Sequence, residues 1–175
     1  MEVILSTPTS ADADEFIAAA RESRGLHQAW IEAPDTHARY AGFLLQTARD
    51  DHAASLLRHT SCGALVGYVN VSNMVRGAFQ SAYLGYGAFE SHAGRGLMMQ
   101  GLGAVIGSAF GELGLHRLEA NIQPTNARSQ ALVQRLGFHK EGYSPRYLRL
   151  DGDWRDHERW ALRSEDWSPS LLEHL

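Results

Sequence analysis

A strand, a glycine-rich turn, a helix and a second strand follow one another near the middle of the chain, and this succession restricts the possible folds more than any other segment. The residues predict a strand over Gln80–Phe89, a helix over Gly96–Leu113 and a strand over Arg117–Ile122. A helix that crosses between two neighbouring strands of one sheet leaves those strands parallel. The sequence therefore predicts at least one parallel pair in the sheet.

The segments on either side of this unit predict strands with short connections, which favour antiparallel pairing. Turns are indicated at Ser61-Cys62-Gly63 and at Asp151-Gly152, the expected tip of a final hairpin. The fold class is therefore α/β (α+β), one domain over residues 1–175 with a mixed, mostly antiparallel sheet and helices on both faces. The other expected strands are Val3–Ser6, Ala54–Arg58, Ala64–Val71, Tyr143–Leu150 and Trp154–Leu162. The other expected helices are Asp12–Glu22, with Ser10 as its N-cap, Thr36–Ala48, and a helix that begins at Pro124-Thr125-Asn126 and ends at Gly137. The segment Arg24–Pro34 is expected to be irregular.

The composition excludes several classes of function. The 175 residues are enough to bury one core, and a formal net charge of -4 lacks the basic excess of proteins that bind nucleic acid. The start of the chain does not resemble a secretory signal, and no run of about 20 apolar residues is long enough to cross a membrane. We therefore expect no nucleic-acid or membrane partner and a cytoplasmic location.

The single cysteine and the nine histidines give no metal-binding pattern. No two histidines are three or four residues apart, and Cys62 stands alone. We expect no metal and no intrachain disulfide, and we expect Cys62 to be a small buried residue. The hairpin aromatic residues Trp154, Trp160 and Tyr147 are expected to fill the core or a groove.

The turn Gly94-Arg95-Gly96 predicts an anion site. Glycines let the backbone present its N–H groups to a ligand, and the helix that follows begins with unpaired N–H groups at its positive end. His92 and Arg95 can add side-chain donors. A tight turn without a ligand is the alternative, because the segment lacks the spacing of a P-loop or of a dinucleotide fingerprint.

Glycines in the preceding strand and in the following helix indicate close approaches of the backbone. Gly85 and Gly87 share one face of the strand, and glycine inside a strand typically marks a bulge or a close backbone contact. A strip without side chains that leads to an anion site suits a long, thin ligand with a phosphate end, such as pantetheine. Gly103, Gly107 and Gly111 recur every four residues, which predicts close packing of the helix on the sheet.

These segments resemble the GNAT acetyltransferases and, among them, the RimJ/RimL-type ribosomal-protein N-acetyltransferases. The general GNAT pattern, Gln/Arg-x-x-Gly-x-Gly/Ala, matches at Gly96 and departs at Ala93 and Met98. The RimJ/RimL-type resemblance runs from about Leu65 to Trp167. It rests on Tyr83-Leu84-Gly85-Tyr86, Gly94-Arg95-Gly96-Leu97-Met98, Asn126-x-x-Ser129, Leu136-Gly137-Phe138-x-Lys140-Glu141-Gly142-Tyr143, Tyr147-Leu148, Asp151-Gly152-x-Trp154-Arg155-Asp156-His157 and Asp166-Trp167.

The resemblance implies a GNAT fold, in which the sheet splays beside the strand Gln80–Phe89 and acetyl-CoA lies in the opening. Asn126 is implied to reach the pantetheine arm, although an asparagine at this place can also serve only as a helix cap. The implied acetyl-CoA contacts are Tyr86, Gly87 and Ala88 for pantetheine and Gly94, Arg95, Gly96, Leu97, Met98 and Met99 for the pyrophosphate.

The catalytic residues of many GNAT enzymes are replaced in this chain. The usual tyrosine acid would fall on Val133 and the usual glutamate base on Asn121. The resemblance instead implies that Ser129 lies near the CoA sulfur and assists the leaving thiolate, with an ordinary helix-surface serine as the alternative. Glu119 is the candidate base, with a solvated or paired strand carboxylate as the alternative, and a water ordered by Asn121 is equally consistent. An α-amine with a pKa of about 7.7–8.0 needs little help to lose its proton.

The function implied is N-acetyl transfer from acetyl-CoA to an amine, in the first place the N-terminal amine of a protein such as a ribosomal protein. A small-molecule amine, for example an antibiotic or a polyamine, and a non-catalytic acyl-CoA-binding module are the alternatives. The segment Arg24–Pro34 and the final hairpin are expected to form the acceptor groove, where Glu32 and Asp35 attract a cationic amine. A monomer and a homodimer are both compatible with the sequence.

Overall fold

A computed structural model describes residues 2–27 and 30–172 of the chain. The strands are β1 (Val3–Ser6), β2 (Ala53–His59), β3 (Leu65–Val75), β4 (Ser81–Ala88), β5 (Arg117–Ile122), β6 (His139–Leu150) and β7 (Asp153–Arg163). The helices are α1 (Ala13–Glu22), α2 (Arg24–His27), α3 (His37–Thr47), α4 (Leu97–Gly111) and α5 (Ala127–Arg135), with 3₁₀ turns at Ser10–Asp12, Glu90–His92, Ser164–Asp166 and Pro169–Leu172.

The strands form a seven-stranded sheet in the order β1-β2-β3-β4-β5-β7-β6. Neighbouring strands pair antiparallel, except for β4 and β5, which are parallel and are connected by α4. The predicted parallel pair and the mixed, mostly antiparallel sheet are therefore confirmed. β4 and β5 pair only between residues 81–83 and residues 117–119. Beyond this short ladder the two strands separate, and the sheet opens between them.

Two hydrophobic cores lie on opposite faces of the sheet. On one face α4 and α5 pack against the strands, and Leu102 and Ile106 of α4 are fully buried there. On the other face α1 and α3 enclose an aromatic cluster, in which the ring centroid of Phe16 lies 5.0 Å from that of Tyr40 and 5.2 Å from that of Tyr68. Helices therefore cover both faces, as the sequence predicts.

The first helix begins later than predicted. A 3₁₀ turn contains Ser10, and α1 starts at Ala13. Thr9 caps this turn, because its backbone N–H donates to the carboxylate of Asp12 at 2.8 Å and the two residues form a capping box, and the N-cap of α1 itself is Asp12. The prediction of Ser10 as the N-cap is therefore wrong.

A short helix, α2, lies within the segment Arg24–Pro34, so the prediction that this segment is irregular is wrong over its first four residues. The helix is fixed by tertiary contacts, since the ring of His27 is buried. Residues 28 and 29 of the segment lie outside the described part of the chain.

The strands β3 and β6 are longer than predicted. β3 runs on to Val75 and β6 starts at His139. Both strands contain register shifts against their neighbours, and a bulge interrupts the two-residue alternation of side chains that marks a strand in a sequence. The alternation is therefore lost where these strands continue.

Two side chains that were expected to be buried are exposed. Cys62 is exposed because it lies in the turn between β2 and β3, and turns run over the protein surface. Trp154 is 60% exposed near the tip of the final hairpin. Trp160, further from the tip on the same strand, is buried as predicted, and Tyr147 is half-buried.

The close contact between α4 and the sheet is made by Gly101. A Cβ atom at Gly101 would lie 2.4 Å from Cδ1 of Leu57 on β2, so a larger residue does not fit. Gly103 is also buried. The expected role is wrong for the other two glycines of the repeat, because a Cβ at Gly107 would meet no atom closer than 3.9 Å and one at Gly111 would meet nothing within 4 Å.

Candidate functional site

A cleft with a volume of about 760 Å³ opens where β4 and β5 separate. Because α4 follows β4 and α5 follows β5, the first turns of both helices lie at the same opening. The cleft brings together all of the predicted acetyl-CoA contacts and two of the three predicted catalytic residues. The predicted residues that line it are Tyr86, Gly87, Ala88, His92, Gly94, Arg95, Gly96, Leu97, Met98, Met99, Asn121, Asn126 and Ser129.

The turn between β4 and α4 has the backbone geometry of an anion site. Gly94 and Gly96 have φ angles of 75° and 78°, in the left-handed region that favours glycine. Gly96 is the N-cap of α4, and no side chain caps the first turn, so the positive end of the helix is open at the cleft. Arg95 is exposed beside this end, while His92 is held locally by a 2.9 Å hydrogen bond between its Nδ1 and Oγ of Ser91.

The two glycines of β4 have different surroundings. A Cβ atom at Gly87 would lie 2.6 Å from Cε1 of Tyr68 and 2.8 Å from Cδ1 of Ile31. A Cβ atom at Gly85 would meet nothing within 4 Å, and this glycine is exposed. The strip without side chains that the sequence predicts is therefore open only over Gly85, whereas Tyr68 and Ile31 cover Gly87.

Ser129 of α5 contacts the phenol of Tyr86 on β4. The Oγ atom of Ser129 and the hydroxyl oxygen of Tyr86 are 2.5 Å apart, and the backbone N–H of Ser129 donates to Oδ1 of Asn126 at 3.1 Å. Burial raises the pKa of Tyr86 to about 12, so the phenol stays protonated at neutral pH. Asn126 thus caps α5, as one of its two interpretations expected, and Ser129 is a half-buried, hydrogen-bonded serine instead of a free surface residue.

The two candidate polar residues of β5 have different environments. Nε of Arg117 donates to Glu119 at 2.7 Å, and the same guanidinium binds Glu141, so Glu119 is a paired strand carboxylate, as its alternative interpretation expected. Asn121 lines the cleft. Its Oδ1 atom is buried and has no hydrogen-bond partner within residues 2–27 and 30–172. Asn121 is therefore better placed than Glu119 to contact a ligand.

The sequence predicts that the segment Arg24–Pro34 borders the acceptor groove, but it does not predict the hydrogen bond by which α2 contacts β4. The buried ring of His27 donates its Nε2–H to the carbonyl oxygen of Ala88 at 2.7 Å, and burial lowers the pKa of His27. The side chains that follow, Trp30 and Ile31, also line the cleft. No sequence signal locates this contact, because it joins residues 61 positions apart and the segment has no periodic pattern.

The segment after α2 meets the hairpin of β6 and β7, as expected for an acceptor groove. The backbone N–H of Asp151 donates to Glu32 at 2.6 Å. Arg39 forms ion pairs with Glu32 at 3.3 Å and with Asp35 at 2.9 Å. Arg24 also pairs with Asp35, and its hydrogen bond lowers the pKa of that carboxyl. Arginines therefore pair with both carboxylates, and the attraction of a cationic amine to them stays a prediction.

None of the helices in residues 2–27 and 30–172 is long and apolar enough to cross a membrane. The same part of the chain contains no group of three or more His, Cys, Asp and Glu side chains arranged to hold a metal ion.

Comparison with known protein families explains this arrangement. A family model described as an acetyltransferase (GNAT) domain matches residues 2–139. The chain belongs to the GNAT acetyltransferase family. The match begins with β1 and ends at the start of β6, so it contains both helices and both strands that border the cleft. The family resemblance drawn from the glycine turn and the helices is confirmed.

The relatives of this GNAT chain include the RimJ/RimL-type enzymes. It is 47% identical to the ribosomal protein uS5-alanine N-acetyltransferase of Escherichia coli (strain K12) over 105 residues. These residues make up 60% of this chain and 54% of the relative. It is 38% identical over 102 residues to the probable N-acetyltransferase YjcK of Bacillus subtilis (strain 168), 58% of this chain and 56% of the relative. The matches thus span about half the length of these curated relatives. The solved structure of Mycobacterium smegmatis RimJ in complex with CoA-disulfide has a TM-score of 0.86 at 26% identity and covers 99% of this chain and 87% of that chain.

Proposed function

We propose that the chain is an N-acetyltransferase that moves the acetyl group of acetyl-CoA onto the N-terminal amine of a protein. The observation that carries the proposal is the cleft between β4 and β5, which joins the uncapped start of α4 to the hydroxyl pair of Ser129 and Tyr86. The relative from Escherichia coli is named for ribosomal protein uS5. A ribosomal protein is therefore the proposed acceptor, and the cytoplasm the proposed location.

The described residues fit acetyl-CoA along this cleft. Gly94 and Gly96 leave the backbone N–H groups at the start of α4 accessible to a pyrophosphate, and Arg95 adds a positive charge beside them. The edge of β4 at Tyr86 and Gly87 is no longer paired with β5, so backbone groups on this edge need other hydrogen-bond partners, and the pantetheine arm would supply them, whereas the carbonyl oxygen of Ala88 is already bound to His27. When bound, acetyl-CoA supplies the acetyl group as a thioester that an amine can attack directly.

Ser129 is the proposed partner of the leaving sulfur. Val133 stands where many GNAT enzymes place a tyrosine acid, and it is fully buried and has no donor group. The hydroxyl of Ser129, held by Tyr86 and Asn126, lines the cleft on the same side. It can therefore donate a hydrogen bond to charge that develops on the sulfur.

The environment of the proposed acceptor site favours an α-amine. Glu119 is bound to Arg117, so it is not a free general base, and Asn121 cannot accept a proton at neutral pH. At pH 7, about a tenth of α-amines with a pKa of about 7.7–8.0 are neutral, against roughly one in 2,500 amines with a pKa of about 10.4. Because neither Glu119 nor Asn121 is a free base, the proposed reaction depends on the neutral fraction of the acceptor, which favours an N-terminal amine over a lysine or an aliphatic polyamine.

The charges of the groove give a polyamine acceptor no advantage. Glu32 and Asp35 are neutralised by arginines. Arg159 of β7 pairs in register with Asn121 of β5, but its guanidinium reaches over Gly142 of β6, where a Cβ atom would lie 2.5 Å from Nη2. The paired carboxylates therefore offer a polyamine no additional attraction compared with a peptide that has a single amino terminus.

The release of CoA from acetyl-CoA with a panel of amines tests the proposal. The panel contains a peptide that begins with alanine, the same peptide with its amino terminus already acetylated as the matched control, and spermidine. We expect turnover with the free peptide alone, at a rate that rises with pH through about 7.7–8.0 as the amine loses its proton. Faster turnover of spermidine would favour the small-molecule alternative, and binding of acetyl-CoA without turnover of any amine would favour a non-catalytic module.

A further inference from the structure

We propose that Tyr86 is a positioning residue that directs the hydroxyl hydrogen of Ser129 into the cleft, so that Ser129 stabilises the CoA thiolate by a hydrogen bond while it keeps its own proton. The inference rests on the proposed function and adds to it a second residue and a different role for the serine. The observation that carries it is the contact between the two hydroxyl groups.

The hydrogen of the Tyr86 hydroxyl has one good acceptor. Within residues 2–27 and 30–172 this hydroxyl contacts only Ser129, at 2.5 Å from Oγ and at 3.5 Å from the backbone carbonyl oxygen. O–H···O hydrogen bonds are mostly about 2.7–2.8 Å long, and contacts as long as the second are weak. Since a tyrosine O–H that is largely removed from water almost always finds a partner, we assign Tyr86 as the donor and Oγ of Ser129 as the acceptor.

With Tyr86 as the donor, the hydroxyl hydrogen of Ser129 is directed towards the cleft. A serine hydroxyl is a single donor that rotates to suit its surroundings. Its oxygen accepts from Tyr86, so its hydrogen cannot point at the same phenol. The backbone N–H of Ser129 is bound to Asn126, which fixes the residue at the first turn of α5. The remaining direction is the cleft that Ser129 lines, where the pantetheine sulfur would lie.

The acidities of the groups rule out a net proton transfer from this pair. Burial raises the pKa of Tyr86 to about 12, and an alkyl thiol has a pKa of about 8.5, so the transfer would be unfavourable by roughly three pKa units. Cleavage of the thioester balances without a proton from Tyr86 or Ser129. The bond between the acetyl carbon and sulfur breaks, its electron pair stays on sulfur, where Ser129 donates a hydrogen bond, and the proton lost by the acceptor nitrogen passes to water.

The binding of CoA at different pH values tests the role of Tyr86 without any turnover. A donor aimed at the sulfur lowers the pKa of the bound thiol, so the affinity of the wild-type protein for CoA should increase as the pH rises towards the pKa of the free thiol, about 8.5. Calorimetric titration measures this increase. If the pKa of the bound thiol is one unit lower, the gain for the wild type should be about fivefold at pH 8.5 and approach tenfold above it, with little or no gain for Tyr86→Phe, for Ser129→Ala and for the double variant.

Two controls separate this effect from a general loss of structure. Tyr40→Phe removes a buried hydroxyl that donates to the carbonyl oxygen of Thr9 at 3.0 Å in the other core, and it should keep the gain of the wild type. A CoA analogue with hydrogen in place of the thiol should bind the wild type, Tyr86→Phe and Ser129→Ala equally at every pH.

The possible outcomes distinguish the two proposals. A Tyr86→Phe variant that keeps the pH-dependent gain in CoA affinity overturns the positioning role, as does a loss of the thiol-free analogue in the same variant. If Tyr86→Phe does not fold, a Ser129→Ala variant that keeps the gain has the same consequence. A wild-type protein that binds neither CoA nor acetyl-CoA contradicts the proposed function instead.

Discussion

Alanine substitutions at the two glycines of β4 should separate the acceptor site from the stability of the fold. Gly85 and Gly87 lie on the same face of β4, and each substitution adds one methyl group. The surroundings differ, since nothing lies within 4 Å of the new methyl at Gly85 whereas Tyr68 and Ile31 lie 2.6 Å and 2.8 Å from the one at Gly87. Each variant is thus the matched control of the other.

The magnitudes follow from these contacts. Gly87→Ala must displace the buried ring of Tyr68, and overpacking of this kind costs about 1–3 kcal/mol. In a domain of this size about 1 kcal/mol lowers the Tm by roughly 2–4 °C, so the Tm of Gly87→Ala should fall by about 2–12 °C. Gly85→Ala meets no neighbour and has no left-handed φ, so its Tm should stay the same or rise slightly because the unfolded chain loses entropy.

Catalysis should respond in a different order. The methyl group of Gly85→Ala enters the open face of β4, where we place the acceptor because pantetheine is proposed to bind along the edge of the strand, and one misplaced methyl group in a binding site changes recognition by about 10–200-fold. We expect the KM for the peptide to rise by at least about tenfold, while the Kd for acetyl-CoA stays unchanged. Circular dichroism melts, steady-state kinetics and calorimetry measure the three quantities. An unchanged peptide KM in Gly85→Ala would refute an acceptor over this glycine, and an unchanged Tm in Gly87→Ala would refute the tight contact with Tyr68.

Two further predictions concern the phosphate turn and the groove. Acetyl-CoA should no longer raise the Tm of Gly96→Val. Gly63→Val is the control, because Gly63 has a φ of 71° in an open turn and the variant bears the same backbone strain, so acetyl-CoA should still raise its Tm. If acetyl-CoA stabilised a folded Gly96→Val variant, the pyrophosphate would have to bind elsewhere. Asp35→Asn should lower the free energy of unfolding in urea at neutral pH and have little effect well below pH 3.8. The Arg24 hydrogen bond lowers the pKa of Asp35 in the folded protein below its ordinary value of 3.8. The charged carboxylate therefore stabilises the fold fully above the pKa of Asp35 in the unfolded chain, and this contribution is lost as the pH falls through the pKa in the folded protein. An equal effect at both pH values would contradict the ion pair.

Features with a local cause could be predicted from the sequence. The parallel pairing of β4 and β5 follows from a helix of fixed length between two strands, whatever surrounds them. The end of the α5 segment could be predicted from Gly137, because a helix commonly ends at a glycine with a positive φ. Its φ is 90°, a conformation that residues with a side chain rarely adopt. The anion-site geometry of Gly94 and Gly96 has the same origin.

Features that depend on distant contacts could not be predicted. Tyr86 and Ser129 are 43 residues apart, and they meet only because β4 and β5 diverge after their third pair. The contact between Gly101 and Leu57 depends on where α4 crosses β2. Cys62 has the apolar character of a core residue, but its turn places it outside. In each case the deciding neighbour comes from another part of the chain, and no periodicity of one segment contains it.

The hydrogen bond from His27 to the carbonyl oxygen of Ala88 joins the segment proposed for the acceptor groove to the strand proposed for pantetheine. Ala88 belongs to the strand proposed to bind pantetheine, and His27 ends the helix beside the acceptor groove. Any change in this bond that occupation of one side causes must alter the affinity on the other side, and the factor is the same in both directions. Titrations of the acceptor at several concentrations of acetyl-CoA would therefore measure a single coupling free energy, and its sign would determine whether the two substrates favour or hinder each other's binding.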